Sequence, residues 1–103
     1  MINLRDETEQ FLKQNGKTKF DVRYIVLGNG ENAVGIDTYS FWYYADHEYD
    51  NSYGGVEVSD IRLVGDDWWL ERGEYDGSEW WEFKIKPSMP TKFVEASYDL
   101  IFG

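Results

Sequence analysis

The sequence predicts an α+β fold in which an N-terminal helix packs on a twisted antiparallel sheet of about five strands. Three observations lead to this prediction. Apolar side chains recur at helical spacing in residues 4–15, several later stretches alternate apolar with polar side chains, and an Asp-Gly pair stands between two Trp-rich stretches. Because 103 residues suit one domain of ordinary size, a single domain over residues 1–103 is expected.

The helix is predicted over residues 4–15. Asn3 is a favourable N-cap, and Asp6 in the first turn suits the positive end of the helix dipole. Asn15-Gly16 is a typical stop, because glycine easily adopts the left-handed conformation. The residues expected to share one face are Leu4, Thr8, Phe11 and Leu12.

The first two strands are predicted over residues 19–27 and 33–45, around a turn rich in glycine and asparagine. Their register has two solutions. The Asn-Gly pair inside the turn can form a two-residue connection. A longer loop instead brings Val26 opposite Val34 and Tyr24 opposite Ile36, which aligns the apolar faces better.

Later segments continue the sheet. A polar loop is expected over residues 46–55 and a third strand over residues 56–64, with a bulge near Ser59-Asp60 where the apolar side chains change face. The tail, residues 91–102, fits both a strand and a helix. Its alternation and its aromatic and β-branched residues favour the strand.

The hairpin over residues 67–86 is the most specific signal. Asp76-Gly77 favours a two-residue turn, which pairs Tyr75 with Ser78. The residue numbers of every further pair in this register sum to 153, so one face collects the side chains expected in the core. These are Trp68, Leu70, Trp81, Phe83 and Ile85.

The opposite face of this hairpin carries the candidate binding site. In the same register Glu71 lies opposite Glu82, and Trp69 and Trp80 flank the two acids. Such an aromatic and acidic surface can hold a Lys- or Arg-rich partner through carboxylate contacts and cation–π stacking. The candidate protein-binding residues are Trp69, Glu71, Trp80 and Glu82, with Asp66 and Asp67 at the rim.

Three alternative roles for the tryptophans of this face stay open. Trp80 can cover Gly73, which lies opposite it in the hairpin. Trp69 can pack against the aliphatic part of Lys84. The two indoles can also form a platform on which a sugar stacks.

Charge narrows the class of partner. The net charge is −10, and residues 24–83 hold fourteen acids against two arginines, a balance of −12. Such a surface repels nucleic acid and anionic membranes and attracts basic proteins. Acidity that only keeps an aromatic-rich chain in solution is the alternative.

Catalytic, metal and cofactor sites are not expected. His47 is the single histidine, and nothing in the sequence fixes a nucleophile or an orienting group beside it. Residues 46–57 have the ligand spacing of a calcium loop, but Asn51 stands where glycine is usual and the flanks are predicted strands rather than helices. The sequence contains no phosphate-binding glycine loop and no basic patch.

The expected location is the cytoplasm. Residues 1–16 lack the basic and apolar regions of a secretory signal, and no apolar run is long enough to span a bilayer. The absence of cysteine excludes a disulfide framework and a thiolate metal site.

Residues 64–84 resemble a stretch found in small uncharacterised acidic proteins of phages and prophages from Gram-positive and gut bacteria. The resemblance rests on VGDDWWLER followed by EYDGSEWWEFK and covers about a fifth of the chain. It implies an accessory phage protein of no assigned activity. In size and acidity the chain is also similar to phage inhibitors that mimic DNA or block a host enzyme, including anti-CRISPR proteins.

Three functions follow as hypotheses. The first is a non-enzymatic acidic binding protein, monomeric or homodimeric, that contacts a basic protein such as a nucleic-acid-binding enzyme without touching nucleic acid itself. The second is a structural domain that self-associates through the open sheet face and buries Trp69 and Trp80. The third is a small hydrolase or sugar-binding protein centred on His47 and nearby acids.

Overall fold

The computed structural model describes residues 1–52, 54–87 and 89–102; Tyr53, Ser88 and Gly103 lie outside this description. The helices are α1 (Leu4–Gln14), α2 (Thr38–Ala45) and α3 (Tyr98–Phe102). The strands are β1 (Ile2–Asn3), β2 (Tyr24–Leu27), β3 (Val34–Ile36), β4 (Glu48–Tyr49), β5 (Ile61–Val64), β6 (Trp68–Tyr75) and β7 (Ser78–Ile85).

Within the described residues, five strands form one antiparallel sheet in the order β3-β2-β5-β6-β7. β1 and β4 form a separate antiparallel pair. α1 contributes Leu12 and α2 contributes Phe41 and Ala45 to a core that also contains inner-face side chains of the sheet. The predicted α+β fold, with an N-terminal helix on a five-stranded antiparallel sheet, is confirmed.

α1 begins where the sequence predicts. The Asn3 side chain accepts a hydrogen bond from the Asp6 backbone N–H at 3.0 Å and so caps the helix. The helix ends at Gln14, and Gly16 has the φ of +72° that favours glycine. Leu12 is fully buried and anchors the helix in the core.

The hairpin of β6 and β7 has the predicted register, since its eight pairs all sum to 153. Asp76 and Gly77 both have positive φ angles, as a tight two-residue turn requires. The predicted core position of Ile85 was wrong: this residue ends the edge strand β7 and is 64% exposed. The buried inner-face residues are Trp68, Leu70 and Trp81, with Phe83 packed against them.

The predicted second strand, residues 33–45, is wrong over most of its length. Only β3 is extended, and the aromatic run that follows belongs to α2. The Asp37 carboxylate caps this helix by accepting a hydrogen bond from the backbone N–H of Ser40 at 3.0 Å. Phe41 and Ala45, one helical turn apart, then share the buried face. The cap and this spacing outweigh the β-propensity of the aromatic residues.

Neither register predicted for the first hairpin is correct. β2 and β3 pair Ile25 with Ile36 and Leu27 with Val34. Ile25 is therefore fully buried on the inner face, whereas Tyr24 is half exposed on the outer face. β2 also begins later than predicted, because a capping box closes a 3-10 turn ahead of it.

The predicted third strand is shorter than expected and begins at Ile61. The preceding segment, residues 56–60, belongs to no strand, and the backbone N–H groups of Glu57 and Val58 donate to the Glu79 carboxylate instead of to a neighbouring strand. The polar loop expected before it contains β4, which pairs with β1.

The tail, residues 91–102, ends in α3 and not in the favoured strand. The Ser97 hydroxyl accepts a hydrogen bond from the Leu100 N–H at 3.3 Å, which caps the helix. In the described residues no strand pairs with this segment, so the local cap decides its conformation.

Candidate functional site

The hairpin register brings the four predicted binding residues onto one face. We call this set, Trp69, Glu71, Trp80 and Glu82, the outer patch. Glu71 lies directly opposite Glu82, and the next pair on the same face places Trp80 opposite Gly73. Because strand side chains alternate, the outer patch lies on the side of the sheet away from the core.

Both acids of the outer patch already have a partner. Trp69 Nε1 donates to Glu71 Oε1 at 2.8 Å, and Lys84 Nζ lies 3.4 Å from Glu82 Oε2. The Glu82 charge is therefore paired with an ammonium group, whereas the hydrogen-bond donor to Glu71 is a neutral indole. The Lys84 and Glu82 side chains are 43% and 35% exposed, so water screens this ion pair. The patch presents excess negative charge that solvent can reach.

Trp80 covers the glycine opposite it. A Cβ atom at Gly73 would lie 2.7 Å from Trp80 Nε1, with Glu82 Oε1 closer still. The indole and the carboxylate occupy the space that a side chain would need, and the covering role expected for Trp80 is confirmed. The Trp80 residue is nevertheless 39% exposed, so a partner can reach the ring.

The two rim acids differ in their surroundings. Asp66 accepts two hydrogen bonds from Arg23, from Nε at 2.9 Å and from Nη2 at 3.1 Å. This contact holds the pKa of Asp66 below its usual range and the pKa of Arg23 above it. Asp67 is exposed, and its backbone carbonyl accepts a hydrogen bond from the Lys86 N–H at 2.7 Å. The Asp66 charge is therefore already paired within the protein.

Two residues that the sequence did not reveal extend the outer patch. Tyr24 pairs with Val64, and Val64 pairs with Trp69, so an apolar row crosses β2, β5 and β6. Ile25 and Leu63 are both fully buried, so their neighbours Tyr24 and Val64 must point to the outer face, and the alternation of the sequence indicates this. The row was missed because the sequence does not show that β5 lies between β2 and β6.

A buried cluster of charged and polar groups lies on the inner face of the same hairpin. It consists of Arg72, Glu79, Tyr49 and Glu7. Arg72 Nη2 donates to Glu79 Oε1 at 2.9 Å and to Tyr49 Oη at 3.1 Å. The Tyr49 hydroxyl donates to Glu7 Oε1 at 2.6 Å. The side chains of Arg72 and Glu79 are only 6% and 1% exposed.

The contacts of the buried cluster are structural. The Glu79 carboxylate also accepts the backbone N–H groups of residues 57–58, at 2.7 and 3.1 Å. The Arg72 guanidinium lies 4.6 Å from the centre of the Trp81 ring. Burial, followed by the hydrogen bond to a neighbouring glutamate, raises the pKa of Tyr49 to about 12. The cluster thus ties α1, β4 and the segment before β5 to the hairpin.

His47 lines an open groove of about 850 Å³, which Glu48 and Glu57 also line. The histidine is exposed, and no side-chain hydrogen bond orients its ring within the described residues. A general base needs an orienting group and a nucleophile within reach. The hydrolase hypothesis gains no support from this geometry.

Residues 46–57, whose spacing is that of a calcium loop, do not bring their acidic side chains together around one point in the described part of the chain. Asp46 accepts a hydrogen bond from the Asn3 side chain at 2.9 Å, whereas Glu57 accepts one from the Asp50 backbone N–H at 2.8 Å. Across residues 1–52, 54–87 and 89–102, no group of three or more His, Cys, Asp or Glu side chains is arranged to hold a metal ion.

Comparisons with models of protein families, with curated protein sequences and with solved structures found no match. No helix in the described residues is long and apolar enough to cross a membrane. The resemblance to phage proteins stays a prediction.

Proposed function

We propose that this protein is a non-enzymatic binding protein whose outer patch contacts a basic segment of a partner protein. One observation supports the proposal above all: Glu71 and Glu82 lie directly opposite each other on the face away from the core, on the same side as Trp69 and Trp80. The fold keeps a like-charge pair and two accessible indoles together where solvent can reach them.

The energetics favour a cationic partner at this place. Like charges directly opposite on neighbouring strands are destabilising, by up to about 1 kcal/mol. A lysine or arginine between Glu71 and Glu82 removes this repulsion and can stack on a flanking indole, which contributes roughly 0.5–2 kcal/mol. The free protein therefore carries a small electrostatic cost that a basic partner relieves.

The charge of the whole chain supports the same partner class. A net charge of −10 attracts a basic protein over several ångströms and repels nucleic acid. Screening shortens this attraction to about 10 Å at 0.1 M salt, so the proposed binding weakens as salt rises. The proposal includes a cytoplasmic setting and an accessory role in a phage, for which the resemblance of residues 64–84 is the support.

The test is a titration of the full chain with nona-arginine, followed by tryptophan fluorescence and by calorimetry at low and high salt. The variant Glu71→Lys with Glu82→Lys is expected to weaken binding at least about tenfold, because two attractive carboxylates become repulsive. Trp69→Phe and Trp80→Phe are expected to remove most of the fluorescence change.

The matched control is Glu9→Lys with Glu31→Lys. Both acids are exposed, Glu9 belongs to α1 and Glu31 to the loop after β2, and the double variant reaches the same net charge. An equal loss of binding in the two double variants contradicts the proposal, because it shows that only the total charge matters. Circular dichroism checks that all variants keep the fold.

A further inference from the structure

The groove beside His47 has an apolar floor. Its volume is about 850 Å³, within the range of sites that bury most of a small ligand. Side chains from the start of α1, from α2, from β4 and from the segment before β5 line it, among them Leu4, Phe41, Tyr44, Tyr49 and Ile61. A surface of this size and composition indicates a site for another apolar group.

The tail, residues 91–102, carries apolar side chains that lie in solvent. These are Phe93, Val94, Tyr98, Leu100, Ile101 and Phe102, and each is between 64% and 76% exposed. The backbone hydrogen bond that holds the chain to the sheet at the end of β7 is from Lys86 N–H to the Asp67 carbonyl. The Cα radius of gyration is 16.9 Å, whereas a compact chain of this length has about 13 Å. The tail therefore extends away from the body of the protein.

α3 needs a surface to pack on. An isolated helix of fewer than about twelve residues is marginal in water, and α3 has five residues. Tyr98, Ile101 and Phe102 lie at helical spacing and share one face, and the rings of Tyr98 and Phe102 are 5.0 Å apart. A short helix with one apolar face gains its stability from a groove that accepts this face.

The tail does not lie in the groove of its own copy, since its apolar side chains are exposed. The backbone N–H of the groove residue Glu57 donates to the Glu79 carboxylate near the turn of the hairpin, whereas the tail leaves the sheet at Ile85. Six residues of strand, about 20 Å, separate these points, and the chain between Ile85 and α3 can span this distance, so docking within one copy is the alternative that the tests below exclude. The tail also runs outward, because the molecule measures 50 Å along its longest axis and about 32 Å across.

We propose that the tail of one copy docks, through the apolar face of α3, into the groove of a second copy, so that two copies exchange tails. The charge of the tail suits it to bind a second copy. The tail holds one lysine and two acids, a balance of −1, whereas residues 1–90 carry the other −9 of the net charge. A nearly neutral apolar segment is the part of the chain that a second, equally acidic copy repels least.

The area available is that of a weak dimer. The apolar face of α3 has two aromatic side chains of roughly 150–250 Å² each and one aliphatic side chain, which offer on the order of 400 Å² per tail at the observed exposure. Two tails and the groove walls that they cover then bury on the order of 1,100 Å², close to the roughly 1,200 Å² at which stable interfaces begin. This inference uses a different surface from the outer patch and does not rest on the proposed function.

The first test is sedimentation of the full chain over a concentration series. We expect a dimer that Ile101→Glu in the tail and Tyr44→Glu in the groove each weaken about tenfold or more, since each places a charge in an apolar contact. The matched controls are Thr91→Glu, ahead of α3, and Tyr39→Glu, which is exposed on the same helix as Tyr44 but does not line the groove. These controls are expected to keep the dimer.

Mixing the two defective variants identifies the exchange. An Ile101→Glu copy keeps an intact groove and a Tyr44→Glu copy keeps an intact tail, so an equal mixture is expected to recover one contact and to dimerise more tightly than either variant alone. Higher salt is expected to strengthen the dimer, because it screens the repulsion between two acidic bodies. Binding of nona-arginine to the outer patch has the opposite salt dependence, so failure of one proposal is distinguishable from failure of the other.

A second measurement does not depend on the groove variant. The chain has no cysteine, so a nitroxide attached at Glu95→Cys labels only the tail. Mixed with an unlabelled copy enriched in ¹⁵N, it is expected to broaden the backbone resonances of Ala45 and Tyr49 in the groove. A monomer at millimolar concentration, or a dimer in which neither these resonances nor the two variants respond, overturns the proposal.

Discussion

The two faces of the β6–β7 hairpin both carry glutamates, but in opposite circumstances. On the inner face, Glu79 is enclosed and bonded to Arg72 and to two backbone N–H groups. On the outer face, Glu71 and Glu82 lie opposite each other in contact with solvent, and Lys84 pairs with Glu82. The alternation of strand side chains thus separates carboxylates that stabilise the fold from carboxylates that are available to a partner.

Burial decides how much each ion pair is worth. A buried charge loses its hydration and needs an excellent set of partners, so removing one partner leaves an uncompensated charge. A pair at the surface is screened by water and contributes little. Arg72 and Glu79 belong to the first case and Lys84 and Glu82 to the second.

The largest expected difference between the two faces appears when the cation of each face is removed in turn. Arg72→Met is expected to lower the free energy of unfolding by about 3–5 kcal/mol, because Glu79 keeps its charge without a cation beside it. Lys84→Met on the outer face is expected to change it by less than about 1 kcal/mol. Chemical denaturation of the two variants measures the difference directly.

Adding Glu79→Gln to Arg72→Met sharpens this comparison. The amide oxygen can still accept a backbone N–H, and the unpaired charge is gone, so part of the lost stability is expected to return. Equal effects of Arg72→Met and Lys84→Met would show that the two faces do not differ in the way described.

The pH dependence of stability tests the buried cluster on the inner face through Tyr49. The folded protein holds the pKa of Tyr49 at about 12, above the value of 10.0 in an unfolded chain. The unfolded chain therefore loses this proton first, and stability that is fully present below pH 10 falls as the pH rises towards 12. The difference between the original chain and Tyr49→Phe is expected to change by roughly 2–3 kcal/mol over this range.

The measurement is denaturation of both proteins at several pH values between 8 and 12. Tyr75, which is exposed on the hairpin, provides the control: Tyr75→Phe is expected to leave the pH dependence as it is. A Tyr49→Phe protein whose stability falls with pH as steeply as the original chain would contradict the role of the buried cluster.

The hairpin could be predicted from the sequence because its information is local. The turn at Asp76-Gly77 fixes the register, and the register fixes both faces of eight residue pairs. α2 could not be predicted in the same way, because the β-propensity of its aromatic residues conflicts with a helix cap at Asp37. Local signals that disagree are resolved only by the packing of Phe41 and Ala45 in the core.

The buried cluster was beyond sequence reasoning for a different reason. Its members come from α1, β4, β6 and β7, and Glu7 and Arg72 are far apart in the chain. The hairpin register places Arg72 on the inner face, but nothing local shows that Tyr49 lies against it. The outer patch was predictable because its four members all belong to one hairpin.

The smallest expected effect has the opposite sign and belongs to the outer patch. Glu71→Gln keeps an oxygen that accepts the Trp69 N–H and removes the repulsion across the hairpin from Glu82. We therefore expect a gain of about 0.2–1 kcal/mol in the free energy of unfolding, measured by denaturation. Glu79→Gln on the inner face is the control and is expected to lower stability, because it removes the anion beside the buried Arg72.

The same Glu71→Gln variant is expected to bind nona-arginine more weakly than the original chain. A substitution that raises stability while it lowers binding is the mark of a residue that the fold does not need but a partner does. A loss of stability on Glu71→Gln would instead place Glu71 among the structural carboxylates, and the contrast between the two faces would disappear.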